Sequence, residues 1–324
     1  MLKRLVCCGV GAVILFMGAA TIARADDAYP TRTITIVVPF PPGGTADLLP
    51  RLVAEKIRPM LGQTVIVENK SGASGNIGLE SVARSAPDGY TLLNAPQLSF
   101  SVNQLLNPAL PVDPRTLEPV SVLATYPTVI YVRASLPVNS LAELIAYAKA
   151  NPGKLTYASQ GRGQIGHLTM EGIRLKADLN ILHVPYRGSA PAMNDLLAGH
   201  VDLLADNLLA GMQHVKSGKL KLIAVGGKDR LKAFPNVATM AETLPGFYSE
   251  TWMAIAAPPG TPKAITHKLS AAIAKAIQSP DLQERFHKLE AEPLGSTPEQ
   301  MAAMIKESHD QWAPVITKAN IKIE

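Results

Sequence analysis

The feature that most restricts the fold of this chain is a regular alternation of strand-like and helix-like segments. The apolar runs TITIVVPF, TVIVEN and TLLNAP each precede a segment with helical character, and LTYAS, ILHVPY, VDLLADN and LKLIAVGG repeat the arrangement later in the chain. Parallel strands need a long crossover, which a helix usually provides. The alternation therefore predicts an α/β fold in which mainly parallel sheets are flanked by helices.

The 324 residues exceed the usual size of one domain, so we expect two lobes. A Pro-rich passage, NPALPVDPRTLEPV, is followed by SVLATYPTVIYVR, which we interpret as the crossing into the second lobe. We predict a first lobe over residues 26–124 and a second over 125–250. Residues 251–324 are expected to form a return strand, TWMAIAAP, and C-terminal helices that pack on the first lobe.

Residues 1–25 are predicted to be a secretory signal peptide. Lys3 and Arg4 precede an apolar run, and Ala23-Arg24-Ala25 fits the small-x-small pattern of a cleavage site. The alternative is an uncleaved membrane anchor, which the short run and the cleavage pattern disfavour. We therefore expect cleavage near Ala25, an exported soluble protein, and no stable membrane insertion after cleavage.

Composition narrows the function of the mature chain. Both cysteines, Cys7 and Cys8, lie in the signal segment, so the mature chain has no disulfide and no thiolate ligand. Three of the 31 basic residues also lie there, which leaves 28 against 26 acidic residues and does not support nucleic-acid binding. The aromatic content of 5% argues against an extended surface for stacking sugars or bases. We expect no cofactor and no metal.

A Gly-rich turn in VVPFPPGGTADLL separates the first strand from the first helix. Backbone N–H groups at such a turn, with Thr45 or Asp47 near the helix start, suit an anion. The alternative is a loop used only for chain reversal. The segments NKSGASGNIG and NAPQLS occupy the next two strand-to-helix junctions, and these junctions share one edge of a parallel sheet. Their convergence favours a ligand site.

The second lobe has a similar junction, ASQGRGQIGHL, in which Gly161, Gly163 and Gly166 have G-x-G-x-x-G spacing. A dinucleotide site is the alternative that this spacing raises. The segment about 20 residues further on is VPYRGS, which has no acid for a ribose hydroxyl. A site for a small anion fits the sequence better.

Patterns typical of enzymes are few. The chain has no G-x-S-x-G, no H-E-x-x-H and no histidines spaced as a ligand pair on one helix, and His183 is interpreted as a satisfied histidine on a strand. Asp202 and Asp206 are four apart on a strand, about 13 Å, which is too far to share a proton. We interpret Asp206 as a hydrogen-bond acceptor in a pocket, with a helix cap as the alternative.

Several segments together resemble the substrate-binding proteins of tripartite tricarboxylate transporters, the Bug family. They are YPTRTITIVVPFPPGGTADLLPRLVAEKI, GQTVIVENKSGASGNIG, APDGYTLL, VPYRGSAPAMNDLLAGHVDLLADN and GKLKLIAV, and the resemblance covers nearly the whole mature chain. It implies a periplasmic, two-lobed binding protein of the type II (Venus-flytrap) class. Such a protein is not an enzyme: it closes on a di- or tricarboxylate or related organic acid and delivers it to membrane permease subunits.

The resemblance also implies ligand contacts, carried over by position. They are Phe40, Pro42, Gly43, Gly44, Thr45, Asp47, Ser74, Asn76, Ser99, Ser159, Gln160, Gly161, Arg162, Gly163, Gln164, Tyr186, Arg187, Gly188 and Asp206. The chain departs from the family pattern at Arg162, where Asn is usual, at Gln164, where a hydroxyl residue is usual, and at Ala205, where Phe is frequent. Arg162 is expected either to bind a carboxylate in bidentate fashion or to lie at the cleft rim.

Two other functions remain open at the level of sequence. One is a sensor module that presents its ligand to a membrane receptor. The other is an exported hydrolase that uses the same cleft.

Overall fold

The computed structural model describes residues 29–43 and 45–323. The predicted signal peptide, residues 1–25, and the predicted ligand residue Gly44 lie outside these residues. None of the helices that the model describes is both long and apolar enough to cross a membrane.

The first lobe is built on a parallel sheet. Its elements are β1 (Ile34–Val38), α1 (Thr45–Leu61), β2 (Val65–Asn69), α2 (Asn76–Ala83), β3 (Thr91–Pro96), α3 (Gln97–Ser101) and α4 (Asn103–Leu106). Strand β1 pairs in parallel with β2 on one side and β3 on the other. Helices cover both faces of β1, so Ile34, Ile36 and Val37 are all buried, as expected for a strand in a parallel sheet.

Two long strands connect the lobes, and we call them the crossing strands. They are β4 (Glu118–Arg133) and β9 (Glu250–Ala257). Residues 118–127 of β4 pair antiparallel with β9, and residues 128–133 pair antiparallel with strands of the second lobe. The change of partner between Pro127 and Thr128 marks the passage from one lobe to the other.

The second lobe repeats the α/β arrangement. Its elements are α5 (Leu141–Ala150), β5 (Thr156–Ser159), α6 (Ile165–Ala177), β6 (Leu182–Pro185), α7 (Ser189–Ala198), β7 (Leu203–Asn207), α8 (Leu208–Lys216), β8 (Leu220–Val225) and α9 (Met240–Thr243). Strand β5 pairs in parallel with β6 and β7. The path of paired strands through both lobes is β2-β1-β3-β9-β4-β7-β5-β6.

The C-terminal segment contains α10 (Lys263–Ile277), α11 (Pro280–His287), β10 (Glu292–Pro293) and α12 (Pro298–Lys318). Helices α10 and α11 pack into the core of the first lobe through Leu269 and Phe286. Helix α12 differs from the expectation for this segment: Met301 packs in the first lobe, whereas Trp312 and Ile316 lie in the core of the second. Its apolar face is long enough to contribute to both cores.

Candidate functional site

A cavity of about 440 Å³ lies between the lobes, and we call it the main chamber. The crossing strands form one wall through Tyr126, Thr251 and Met253. The rest of the lining comes from Thr45, Ala46, Gln160, Gln164, Ile165, Gly188, Ser189, Asp206, Asn207, Leu208, Leu209, Leu289 and Glu290. Both lobes therefore contribute to a single cleft-like cavity.

Four helices begin at the main chamber. The residues at these helix starts are Thr45 and Ala46 of α1, Gln164 and Ile165 of α6, Gly188 and Ser189 of α7, and Asn207, Leu208 and Leu209 of α8. The first N–H groups of a helix have no partner inside it, and the helix dipole adds a partial positive charge of about half a unit there. No side chain caps α6 or α7. These helix starts therefore offer free donors to an anion.

Tertiary contacts fix two of these helix starts in place. The amide Nδ2 of Asn94 donates to the carbonyl of Ala46 at 2.9 Å, which ties the start of α1 to β3. A Cβ atom at Gly166 would lie 2.2 Å from the carbonyl oxygen of Ala205, so only glycine allows α6 to begin this close to β7. The donors are thus held in position before any ligand arrives.

Charged side chains at the main chamber are acidic. Among its described lining residues there is no lysine or arginine, whereas Asp206 and Glu290 both contribute. Any attraction for an anion at this chamber comes from backbone dipoles and neutral donors.

Asp206 is the penultimate residue of β7 and is 3% exposed. Its Oδ1 atom accepts from the backbone N–H of Asn207 at 2.8 Å and from Nδ2 of the same residue at 3.3 Å, but Oδ2 has no hydrogen-bond partner. Burial raises the pKa of the Asp206 carboxyl, and the nearby Ser189 hydroxyl, Asn207 amide and Gln160 side chain offset this only in part. The site thus holds a half-satisfied buried acid.

A second cavity of about 120 Å³ adjoins the first, and we call it the side chamber. Gln164, Ile165 and Thr251 line both chambers. The remaining lining residues are Phe40, Pro96, Gln97, Leu98, Ser99, Asn103, Leu106, Gly163 and Ile323. None of these described lining residues is charged, so the side chamber suits an uncharged part of a ligand.

Three stacked rings support the loop between β5 and α6. The rings of His167 and His183 stack with centroids 3.9 Å apart, and Tyr157 stacks on His183 at 4.8 Å. Nδ1 of His167 accepts from the N–H of Gly163 at 3.0 Å, and Nε2 of His183 lies 2.7 Å from the Ser159 hydroxyl. Burial lowers the pKa of His167 to about 4 and that of His183 to about 3, so both rings stay neutral near pH 7. His183 is thus a satisfied histidine, in agreement with its interpretation from sequence.

Asp47 has a different environment from Asp206. Its carboxylate accepts from the N–H of Gly43 at 3.0 Å, from Nε of Arg51 at 2.9 Å and from Nδ2 of Asn69 at 2.9 Å. Asn69 also donates to the carbonyl of Phe40 at 3.0 Å. Asp47 lines neither chamber; it holds the turn after β1 against the end of β2.

The structure brings together part of the predicted ligand set. Thr45, Gln160, Gln164, Gly188 and Asp206 line the main chamber, and Phe40, Ser99, Gly163 and Gln164 line the side chamber. The described residues of the predicted set that line neither chamber are Pro42, Gly43, Asp47, Asn76, Ser159, Gly161, Arg162, Tyr186 and Arg187, and the side chain of Ser74 is outside the described part of the structure.

Specific contacts or exposure explain several of these positions outside the chambers. Arg162 and Arg187 are exposed to solvent. The hydroxyl of Tyr186 donates to Asp195 at 2.5 Å, and Oδ1 of Asn76 accepts from Asn103 at 2.9 Å. Ser74 lies in a short 3-10 turn, Ala73–Gly75.

Sequence reasoning missed the chamber residues of the crossing strands. Alternate residues of a strand face opposite sides, so Tyr126, Thr251 and Met253 point one way while Thr125 and Trp252 line a separate groove. Recognising β4 and β9 as one antiparallel pair would have located them. Leu289 and Glu290 follow α11, and no sequence signal indicates that this segment reaches the chamber.

Comparison with known proteins agrees with the resemblance seen in the sequence. The model of the family described as "Tripartite tricarboxylate transporter family receptor" (TctC) matches residues 49–321. Protein BugT of Bordetella pertussis (strain Tohama I) is 38% identical over 315 residues, which cover 96% of this chain and 97% of BugT.

Two solved structures of similar proteins contain organic acids. Rpa4515 of R. palustris with adipate has 36% identity and a TM-score of 0.78, over 91% of this chain and 99% of the other. MatC (Rpa3494) from Rhodopseudomonas palustris with bound malate has 31% identity and a TM-score of 0.74, over 89% and 100%.

Proposed function

This chain belongs to the tripartite tricarboxylate transporter receptor family, and from this premise we propose that it captures a small carboxylate in the main chamber and delivers it to a membrane permease. The fold is the two-lobed α/β fold of the periplasmic binding proteins, and the family consists of solute-binding receptors, not enzymes. Periplasmic location after cleavage near Ala25 is part of the proposal.

The observation that carries the proposal is the convergence of four helix starts on a chamber without a described cationic side chain. Backbone N–H groups and hydroxyls replace the water shell of a carboxylate without the desolvation cost of burying fixed cations. Donors preorganised in this way pay no reorganisation cost when the anion binds. Binding that depends on neutral donors also permits release.

Lobe closure supplies the second half of the mechanism. Donors of the main chamber come from both lobes, with α1 on one side and α6, α7 and α8 on the other. A ligand that contacts both sides favours the closed arrangement, because it binds that arrangement more tightly. The crossing strands, which form the wall of the chamber, are the natural hinge for this motion.

The ligand is expected to be a small organic acid. Adipate and malate in the solved structures of similar proteins support this class. The main chamber accommodates the carboxylate, and the uncharged side chamber next to it accommodates a polar or apolar extension.

Thermal and chemical unfolding of the mature protein in the presence of carboxylates test the proposal. A ligand at about 100 times its dissociation constant should stabilise the protein by about 2.7 kcal/mol. Thr251→Phe, which fills the junction of the two chambers, should abolish this stabilisation. Thr125→Phe is the matched control, because Thr125 lies on the same pair of strands but faces the separate groove. If sugars or cations stabilise the protein and no carboxylate does, the proposal is wrong.

Delivery to a permease requires its own test. Uptake of the stabilising acid by cells should stop when the genes of the membrane permease are deleted and the receptor is kept. Uptake that continues unchanged would contradict a role in transport.

Mass spectrometry of the exported protein checks the N-terminus, which should lie near Asp26.

A further inference from the structure

Three buried side-chain atoms without hydrogen-bond partners lie around the main chamber. They are Oη of Tyr126, Oε1 of Gln160 and Oδ2 of Asp206. Burying a polar atom without a hydrogen-bond partner destabilises the folded protein, so native proteins rarely keep several such atoms together without a function. Their common position beside one cavity makes a ligand held between the closed lobes a candidate partner for them.

When Asp206 is ionised, two of the three atoms, Oε1 of Gln160 and Oδ2 of Asp206, can accept hydrogen bonds but cannot donate them. Nε2 of Gln160 donates to the carbonyl of Ala205 at 2.8 Å, and reversing the amide would place two carbonyl oxygens against each other. This contact fixes Oε1 as the free atom of Gln160. Oδ1 of Asp206 is held by Asn207, and the nearby Ser189 hydroxyl makes no hydrogen bond to Oδ2, which is therefore free. The phenol of Tyr126 can donate or accept.

A bare carboxylate does not satisfy this arrangement. Its oxygens are acceptors, as are Oε1 of Gln160 and Oδ2 of the ionised Asp206, so these atoms would repel each other. The other ionisable groups near Asp206 add no positive charge that would offset this repulsion. Glu290 is acidic, Tyr126 is buried, and the Tyr131 hydroxyl already donates to the carbonyl of Leu208 at 2.7 Å. The helix starts satisfy an anion, whereas the free acceptors require a donor.

We propose that the ligand is a carboxylate with a hydrogen-bond donor, a hydroxyl or an ammonium group, on a carbon close to the carboxylate, and that Asp206 and Gln160 accept from this donor. The inference rests on the proposed function and narrows its substrate class. A binding site whose buried acceptors hold a hydroxyl or ammonium group of the ligand binds analogues that lack this group much more weakly, because the acceptors are then left unpaired.

Two matched series of acids test the inference by calorimetry on the mature protein. The first is succinate, malate and aspartate, and the second is glutarate, 2-hydroxyglutarate and glutamate; within each series only one substituent changes. We expect the hydroxy or amino member to bind at least tenfold more tightly than the unsubstituted acid of the same length. Equal or tighter binding of the unsubstituted acid would overturn the inference but leave the proposed function intact. If no member of either series binds, the inference fails, and the proposed function fails with it when no carboxylate stabilises the protein in the unfolding test.

The Asp206→Asn variant distinguishes a hydroxyl donor from an ammonium donor, because it keeps an acceptor atom at this position but removes the negative charge. A ligand with an ammonium group should lose at least tenfold in affinity, whereas a hydroxy acid should lose less. Gln160→Met is the second variant and should reduce the preference for the substituted acid without abolishing binding. Asp202→Asn is the matched control, because Asp202 directly precedes the same strand, pairs with Arg133 at 2.8 Å and lines neither chamber, and it should leave the preference unchanged.

Proton exchange during binding tests the opposite arrangement, in which a protonated Asp206 donates to a ligand carboxylate. Calorimetry in two buffers of different ionisation enthalpy measures the protons taken up or released. The inference predicts that no proton is taken up on binding, and that a proton is released if Asp206 is protonated in the free protein. Uptake of a proton that disappears in Asp206→Asn would overturn it.

Discussion

Asp47 and Asp206 are two buried aspartates with opposite environments. Each lies beside a helix start that follows a strand, and each is 3% exposed. Burial would raise the pKa of Asp47, but hydrogen bonds from Arg51, Gly43 and Asn69 lower it to about 2. Burial raises the pKa of Asp206, and one of its oxygens has no partner.

The difference shows how to separate a structural acid from a binding acid. Asp47 has donors for both oxygens within the first lobe, so it stabilises the turn after β1 and needs no ligand to complete its pairing. Asp206 has donors for one oxygen only and faces a cavity. Incomplete pairing, and not burial, identifies the acid that a ligand completes.

The largest expected effect in the ligand-free protein is on stability. Asp47→Asn should lower the free energy of unfolding by about 2 kcal/mol, because it removes the charge that Arg51 and two other donors stabilise. Asp206→Asn should leave it unchanged or raise it, because a buried carboxylate with a free oxygen is replaced by a neutral group. Urea unfolding of the two variants and the wild type at pH 7 measures both. Equal losses in the two variants would contradict the comparison.

The two aspartates should also affect stability with opposite slopes against pH. The pKa of Asp47 is lowered on folding, so its contribution is complete above its unfolded pKa near 4 and is lost as the pH falls toward 2. The pKa of Asp206 is raised, so its contribution is complete below the unfolded pKa and is lost as the pH rises through the folded value. As the pH rises, the free energy of unfolding of the wild type should therefore increase relative to that of Asp47→Asn and decrease relative to that of Asp206→Asn. Unfolding curves across a pH series check this, and slopes of the same sign would refute it.

The smallest expected effect is at Arg162. This side chain is exposed and lines neither chamber, so Arg162→Gln should change carboxylate affinity by less than about 1 kcal/mol, and added salt should remove the change. Calorimetry at low and high salt is the measurement. A loss above about 2 kcal/mol that persists at high salt, for a dicarboxylate but not a monocarboxylate, would instead place the guanidinium on the ligand.

Much of the fold follows from the alternation of strands and helices, because apolar runs such as Ile34–Val38 have one stable position in a helix-covered parallel sheet. The continuity of β4 does not follow, since Pro127 in the middle of the run suggests a break. In the structure Pro127 lies where β4 changes partners, which a proline tolerates. The span of α12 across both lobes also depends on tertiary packing.

The candidate site was predictable where backbone chemistry determines it. Helix starts after strands can be found from Gly-rich junctions, as Thr45 was, whereas Gln164 and Gly188 came from the resemblance to the family. The roles of the two aspartates were not predictable, because the partners of Asp47 come from Arg51 and from Asn69, which is distant in sequence. Pairing of buried groups is decided by the folded structure.

A crystal structure of the mature protein with the tightest-binding acid of the two series tests the central claim most directly. It should place a ligand carboxylate within hydrogen-bond distance of first-turn N–H groups of the helices at the main chamber. Oδ2 of Asp206 should contact a hydroxyl or ammonium group of the same ligand, and Asp47 should keep its three present donors. A ligand carboxylate bound by Arg162 or by the Asp47 network, with Asp206 still without a partner, would contradict the account.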